Sequence, residues 1–315
     1  MAIDIKEDYP IDAVVLWVDG YEEDHRLKMI PFLDNKESLQ TKLYKNRFTQ
    51  INEIEFSINS LIKNAPFLRN IFIITDNQVP NFLKSENLNP KYNKVKIIDH
   101  KEIFKDYEQF LPTFNSRSIE TFIFRIPNLA EHFIYLNDDF FIINNTTPKD
   151  FFSNGYPLLR GKWKNTNNSS YFEKYKKPKL GHKSSQIKGA KLVGFDKYYN
   201  FKHTPHPFRK STFEQLFNSQ RELLLSNVSY KFRNNDQFLI QSLINHTEIK
   251  NKTCVLHNNT QLLYFRTFKK PLIWYKFYFI LKTNDKLFLT LQSLYLAPKP
   301  ILNYILNWMQ IRLKS

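Results

Sequence analysis

The sequence has only one cysteine, Cys254, among its 315 residues. One thiol cannot form an internal disulfide, so a disulfide-stapled fold is excluded and the chain suits a reducing compartment. The first residues are acidic and have no apolar core, so we expect no secretory signal. A cytoplasmic protein is therefore predicted.

Long apolar runs and glycine-rich signatures are also missing. No uncharged apolar stretch reaches the ~20 residues that a membrane-spanning helix needs. The motifs Gly-x-Gly-x-x-Gly, the P-loop and Gly-x-Ser-x-Gly do not occur, which leaves dinucleotide, Walker-type and esterase chemistry without local support. The overall composition, with 42% hydrophobic and 24% charged residues, is typical of a globular protein.

Charge is divided unevenly between the two halves of the chain. Residues 1–150 contain 18 Lys and Arg against 23 Asp and Glu, a balance of −5. Residues 151–315 contain 28 against 7, a balance of +21. We expect the basic half to face an anion, such as a nucleotide diphosphate, an anionic polymer, lipid headgroups or nucleic acid.

Segments with strand and helix patterns alternate in the first half. This alternation predicts an α/β fold with a mostly parallel sheet flanked by helices, of the Rossmann-like or nucleotide-sugar transferase-like kind. Residues 155–200 look like an irregular insertion. The predicted strands are 11–20, 70–77, 94–100 and 133–143, and the predicted helices of this half include 53–63 and 117–125.

Acidic residues follow the predicted strands. Asp138 and Asp139 interrupt the apolar run from Phe133 to Phe141. Adjacent carboxylates repel each other, and a fold keeps such a pair mainly where a cation lies between them. Mg²⁺ or Mn²⁺ bridging a phosphorylated substrate is the usual ion at such a site. A simple turn is the alternative interpretation, because Asn-Asp is ordinary turn chemistry.

Two basic clusters stand out in the second half. Two prolines stiffen the backbone around His203 and His206, and a near-neutral imidazole is well suited to accept a proton from a hydroxyl. Arg233 precedes a predicted helix and suits bidentate binding of a diphosphate. The alternatives are a proline-rich surface loop and an ordinary capped helix start.

Residues 259–315 are predicted to be a separate helical segment, distinct from a catalytic domain at 1–258. The segment has nine Lys and Arg, one acidic residue and twelve aromatic residues. Trp and Tyr beside Lys and Arg are typical of a bilayer interface, so docking on an anionic membrane surface is predicted. Packing against the catalytic domain or a second subunit is an equally compatible interpretation.

Several segments resemble the Stealth family of sugar-phosphate transferases. This family includes bacterial capsular polysaccharide phosphotransferases and the animal N-acetylglucosamine-1-phosphotransferase that tags lysosomal enzymes. The resemblance implies transfer of a hexose-1-phosphate from a UDP-sugar to an acceptor glycan hydroxyl, with release of UMP, in capsule or surface polysaccharide synthesis. Its motifs are residues 11–20, 53–83, 111–139, 203–205 and 233–236, with a faint fourth region at 254–258.

The resemblance also implies roles for individual residues. Asp138 and Asp139 hold Mg²⁺ or Mn²⁺, and His203 is the general base with Glu53 as its partner or as a second acid–base group. Arg233 stabilises phosphate charge, and Asp76 is predicted to be catalytic. The predicted substrate-binding residues are Asp19, Asn115, Arg125, His206 and Asp236.

Two other functions stay open at this point. A metal-dependent glycosyltransferase shares the aspartate pair but attacks the anomeric carbon and releases UDP. A basic membrane-surface binding module is the second alternative. Nucleic acid is not an expected partner, because Gly/Arg-rich segments are absent and the C-terminal segment is aromatic and apolar.

Overall fold

The computed structural model describes residues 9–33, 49, 51–84, 89–166 and 181–313. The strands of these residues are β1 (Ile11–Leu16), β2 (Leu68–Thr75), β3 (Val95–Asp99), β4 (His132–Asn137), β5 (Phe140–Ile142), β6 (Phe152–Ser153), β7 (Tyr156–Asn165), β8 (Lys197–Phe201), β9 (His206–Arg209), β10 (Val255–His257), β11 (Leu262–Phe265) and β12 (Phe288–Leu291). The α-helices are α1 (Glu23–Met29), α2 (Glu53–Asn64), α3 (His100–Ile103), α4 (Ser116–Phe122), α5 (His182–Leu192), α6 (Lys210–Ser219), α7 (Arg221–Val228), α8 (Ile240–Asn251), α9 (Leu272–Lys282) and α10 (Lys299–Leu313).

A five-stranded sheet in the order β3-β2-β1-β4-β9 forms the centre of the fold. The first four of these strands are parallel, and β9 runs antiparallel to β4. All six residues of β1 are buried, as expected for a strand covered on both faces. The prediction of a mostly parallel α/β sheet is therefore confirmed.

The two faces of the sheet take alternate side chains of β1. Val14 and Leu16 enter a core that also contains residues of α4, α6, α7 and α8. Ala13 and Val15 enter a second core, where α2 contributes its apolar side chains at helical spacing. This alternation fixes the register of the strand, because a slip by one residue would exchange the two faces.

The strand order creates a topological switch point between β1 and β4. The chain builds outward from β1 through β2 to β3 and then returns to the other side of β1 for β4. In open α/β sheets, ligands bind outside the carboxyl ends of the strands at such a point. Asp138 and Asp139 follow the carboxyl end of β4 directly.

The described part of the predicted irregular insertion is regular. It contains β7, α5 and β8, while residues 167–180 lie outside the described residues. β7 pairs antiparallel with β8 and parallel with β10. Gly161 is required on β7, because a Cβ atom there would lie 2.7 Å from the carbonyl oxygen of Asn200 on the neighbouring strand. The prediction of irregular structure for 155–200 is corrected accordingly.

The C-terminal segment is helical and basic as predicted, but it packs into the rest of the molecule. β11 and β12 form a three-stranded sheet with β5, the strand that follows the aspartate pair. Phe141 and Ile143 share a core with side chains of α9 and α10. The division predicted at residue 258 does not correspond to a boundary between packing units. None of the helices in the described ranges is long and apolar enough to cross a membrane.

Candidate active site

Asp138 and Asp139 occupy the short turn between β4 and β5. Both flanking strands are paired with other strands, and the backbone N–H of Leu291 donates to the Asp139 carbonyl at 3.2 Å. The two carboxylates are therefore fixed side by side. Burial raises the pKa of both, and the negative charges of neighbouring Asp and Glu side chains raise them further.

Glu53 adds a third carboxylate to this acidic group. It begins α2, is 7% exposed, and accepts a hydrogen bond from the backbone N–H of Ile51 at 2.5 Å. Burial raises the pKa of Glu53, and its charge acts on both Asp138 and Asp139. We define these three residues as the acidic cluster.

The acidic cluster suits a divalent cation. No ion pair within the described part of the chain involves Asp138 or Asp139. In the same residues no group of three or more His, Cys, Asp or Glu side chains is arranged to hold a metal ion by itself. Mg²⁺ commonly binds through only one or two carboxylates and completes its octahedron with water and substrate phosphates. The aspartate pair fits that mode.

Two guanidinium groups lie near each other, and one of them, that of Arg233, acts on the acidic cluster. Arg233 lies on an exposed loop, donates to the Ser116 hydroxyl at 2.7 Å, and lowers the pKa of Asp139 through its charge. Arg117 is buried and donates to the Asn234 carbonyl at 3.0 Å. Burial and then the charge of Arg233 lower the pKa of Arg117 to about 10. Neighbouring guanidinium groups repel each other, and a phosphate anion would relieve that repulsion.

A buried amide pair holds the loop that carries Arg233. The Asn115 side chain donates to the Tyr230 carbonyl at 3.0 Å and to the Gln237 Oε1 atom at 2.9 Å. Its oxygen accepts the N–H of Arg117 at 3.2 Å and caps α4. Both ends of the Asn115 amide are thereby used inside the protein. These bonds position the loop, and the predicted contact of Asn115 with substrate stays a prediction.

His203 lies next to the aspartate pair. Its ring stacks on Tyr264 at 5.0 Å and lies 6.0 Å from the ring of Phe140, the residue after Asp139. His182 is also adjacent, at 4.8 Å between ring centroids. Burial, followed by the charges of Lys202 and Arg266, lowers the pKa of His203 to about 4. The imidazole is therefore neutral near pH 7.

The same neighbourhood connects the basic groups to one another. Burial lowers the pKa of His182, and the charges of nearby His203, His206, Arg117 and Arg233 lower it further. Arg233 thus acts on Asp139 of the acidic cluster and on His182, whose ring lies against that of His203. The predicted chemistry depends on this shared neighbourhood of carboxylates, guanidinium groups and imidazoles beyond the carboxyl end of β4.

The comparisons with known proteins bear on this site. A family model described as Stealth protein CR2, conserved region 2, matches residues 47–158, which include the whole acidic cluster. The capsular polysaccharide phosphotransferase LcbA of Aeromonas hydrophila is 33% identical over 240 residues, which cover 74% of this chain and 63% of LcbA. The exopolysaccharide phosphotransferase cps2G of Lactiplantibacillus plantarum is 31% identical over 252 residues, which cover 72% of each protein.

The chain belongs to the Stealth family. The predicted resemblance is confirmed. The chain spans less than two thirds of the length of LcbA. Among solved structures, a galactosyltransferase LgtC is 12% identical with a TM-score of 0.44, covering 89% of this chain and 86% of LgtC. A similarity this low carries no argument about function.

Asp19 and Asp76 of this Stealth protein lie at the ends of β1 and β2. The backbone of Asp19 exchanges two hydrogen bonds with the Gln78 side chain, at 2.8 and 2.9 Å. Asp19 lines a small cleft of about 50 Å³ together with Trp17, Asn52 and Gln78. Its predicted contact with substrate stays a prediction.

Asp76 is already paired with an imidazole and an ammonium group. It accepts from the His25 Nδ1 atom at 2.9 Å and from the Lys28 ammonium at 3.2 Å. Burial alone would raise the pKa of Asp76, but His25, His100 and Lys28 together lower it to about 2. The ionised carboxylate of Asp76, with its charge balanced by these partners, anchors α1 to the end of β2. These contacts favour a structural role over the predicted catalytic one.

Three further predicted substrate-binding residues have partners within the protein. Arg125 donates to the Lys105 carbonyl at 2.6 Å and lies over the Tyr107 ring at 4.7 Å. The Asp236 carboxylate is exposed and 3.8 Å from Lys188. His206 is buried on β9 and packs against Phe201 and Phe208 at 5.0 and 5.9 Å between ring centroids. The substrate contacts of these three residues stay predictions.

Sequence reasoning missed three residues of the site. Arg117 begins the predicted helix 117–125. Its partner Asn234 is 117 residues away, so no local pattern marks Arg117 as a site residue. His182 belongs to the segment predicted to be irregular. Tyr264 belongs to the segment predicted to be separate. Its stacking on His203 follows only from the pairing of β11 with β12 and β5.

The buried imidazole of His206 makes stability depend on pH. Burial lowers its folded-state pKa to about 3, against about 6.5 when unfolded, so below pH 6.5 the unfolded chain binds the proton more readily. Lowering the pH from 7 to 5 should therefore cost about 2 kcal/mol through this residue. We expect His206→Gln to lose that much less stability over the same interval in urea unfolding. An identical pH dependence in both proteins would contradict the assignment.

Proposed function

We propose that this protein transfers a hexose-1-phosphate from a UDP-sugar to a hydroxyl of an acceptor glycan, forming a phosphodiester and releasing UMP. The observation that carries the proposal is the position of Arg233, whose charge acts on Asp139 of the acidic cluster, on Arg117 and on His182 beside the neutral imidazole of His203. Phosphoryl transfer requires positioning and stabilisation of phosphate charge more than covalent chemistry from the protein.

Asp138 and Asp139 would hold Mg²⁺ or Mn²⁺ against the diphosphate of the donor. The ion supplies positive charge to the phosphate oxygens when it is bound. Support for this assignment comes from the raised pKa values of the two carboxylates, which a cation would relieve. Glu53 adds negative charge behind the pair and strengthens their affinity for the ion.

His203 is the proposed general base. Its neutral imidazole accepts the proton of the acceptor hydroxyl while the hydroxyl oxygen attacks the phosphorus next to the sugar. The new oxygen–phosphorus bond forms as the bond from that phosphorus to the UMP oxygen breaks. Arg233 and Arg117 stabilise the negative charge that develops on the phosphate oxygens.

The cleft beside Asp19 is the proposed site of the donor nucleoside. It lies between the ends of β1 and β2 and the start of α2. Ligand binding at this edge of the sheet follows the general rule for open α/β folds. The names of LcbA and cps2G support a role in capsule or exopolysaccharide synthesis.

The product distinguishes this proposal from a glycosyltransferase. We expect the purified protein, given UDP-hexoses, Mg²⁺ and an oligosaccharide acceptor, to release UMP and to form a phosphodiester, because the charged groups surround phosphate. Phosphorus NMR of the mixture resolves both products. Release of UDP without a phosphodiester would contradict phosphotransfer and favour the glycosyltransferase alternative.

Replacement of the proposed base separates turnover from binding. His203→Gln should lower kcat by about 10²–10⁴-fold, the usual contribution of a general base, while the affinity for the UDP-sugar changes little. Steady-state kinetics and calorimetry measure the two quantities. His257→Gln, at an exposed histidine on β10, is the matched control. Turnover unchanged in His203→Gln would remove this residue from the mechanism.

The metal assignment has a readout that is independent of turnover. Replacing Asp138 and Asp139 together by Asn leaves weaker ligands, so Mn²⁺ affinity in the presence of UDP should fall by more than the roughly tenfold that outer-shell changes cause. Electron paramagnetic resonance of free Mn²⁺ measures this. Asp24→Asn, at an exposed position on α1, should bind Mn²⁺ like the unaltered protein. Equal affinity in all three proteins would place the ion elsewhere.

A further inference from the structure

Helix α9 presents an apolar stripe to solvent. Ile273, Phe277, Ile280 and Leu281 are 57%, 60%, 67% and 66% exposed. Their spacing of three and four residues places them on one face of the helix. Trp274 borders this face and stacks on Tyr278 at 4.7 Å. Contiguous exposed apolar surface of this kind usually marks an interaction site. We name these five residues the α9 stripe.

The opposite side of α9 fixes the orientation of the helix. Tyr275 and Phe279 are buried in the core that α9 shares with α10 and β12. Phe279 lies 4.9 Å from Trp308 of α10, measured between ring centroids. The helix is therefore apolar on two sides, and rotation to hide the α9 stripe would expose these buried aromatic residues. The stripe is a surface that the fold holds outward.

Basic side chains surround the stripe. Lys269, Lys270, Lys276 and Lys282 are exposed on α9 or just before it. No ion pair in the described part of the chain uses any of these four lysines. The single acidic residue between 259 and 315 is Asp285. The charge of this face is therefore strongly positive around an apolar centre.

We propose that the α9 stripe docks on the surface of an anionic lipid bilayer. An interfacial helix buries its apolar side chains at the boundary of headgroups and acyl chains, while its lysines bind anionic headgroups. A second copy of the chain is a poorer occupant, because a symmetric contact between two stripes brings the same lysines together. Five residues, 283–287, connect α9 to β12, which pairs with β5. Docking of α9 would therefore hold the active site at a fixed distance from the bilayer.

Vesicle flotation of the full chain tests the charge requirement. We expect binding to vesicles of phosphatidylcholine with phosphatidylglycerol, weakening as salt rises, and little binding to phosphatidylcholine alone. Absence of binding to either vesicle, or equal binding to both, would overturn the proposal.

Variants test which residues carry the binding. Phe277→Ser should reduce vesicle affinity by about tenfold or more, because a large apolar side chain no longer enters the bilayer. Lys276→Gln and Lys282→Gln should each reduce it by about fivefold. Leu27→Ser, at a leucine on α1 that is 56% exposed, is the matched control and should bind like the unaltered protein. Variants that bind as tightly as the unaltered protein would remove the α9 stripe from the interaction.

Two further measurements separate vesicle binding from misfolding, loss of turnover and dimer formation. Circular dichroism and turnover on a water-soluble acceptor should be unchanged in Phe277→Ser, because the stripe lies outside the proposed active site. Failure of the proposed reaction would therefore not affect the vesicle result. Sedimentation of the unaltered protein without lipid should not show a dimer that Phe277→Ser disperses. Such a dimer would assign the stripe to a second copy of the chain.

Discussion

Repulsion among the carboxylates at the end of β4 is the constraint on which the account of this protein depends. Asp138 and Asp139 cannot separate, because β4 is paired with β1 and β5 is paired with β12. Glu53 approaches them from the start of α2 and is itself buried. Their charge must be balanced by groups that do not belong to this turn. A divalent cation and Arg233 supply that balance in the proposed reaction.

The balancing groups come from distant parts of the chain. Arg117 is on α4, Arg233 is on the loop before α8, and His203 precedes β9. The Asn115 side chain links Arg117 to the loop that carries Arg233. Its oxygen accepts the backbone N–H of Arg117, and its nitrogen donates to the Gln237 side chain. The Thr290 hydroxyl of β12 donates to the His203 carbonyl at 2.7 Å. Helix α9, with its lysine-flanked apolar face, precedes the same strand, so site and surface belong to one packed body.

The sequence predicted those features that depend on local pattern. The mostly apolar β1, the helical spacing of Ile54, Ile58 and Leu61 on α2, and the interruption of an apolar run by Asp138 and Asp139 were all recognisable. The contact of Arg117 with the loop at Asn234 was not recognisable from the sequence. The direction of each arginine side chain depends on the rotation of α4 and on a loop more than 100 residues away. The boundary at 258 failed for a similar reason, since the pairing of β5 with β12 leaves no local signal.

The central claim is that the charged groups gather on phosphorus rather than on the anomeric carbon. A UDP-hexose with ¹⁸O in the bridge between the sugar carbon and phosphorus tests this directly. Attack at phosphorus leaves that bridge intact, so mass spectrometry should find the label in the glycan phosphodiester and none in the released nucleotide. Attack at carbon breaks the bridge, and label recovered in UDP would contradict the account.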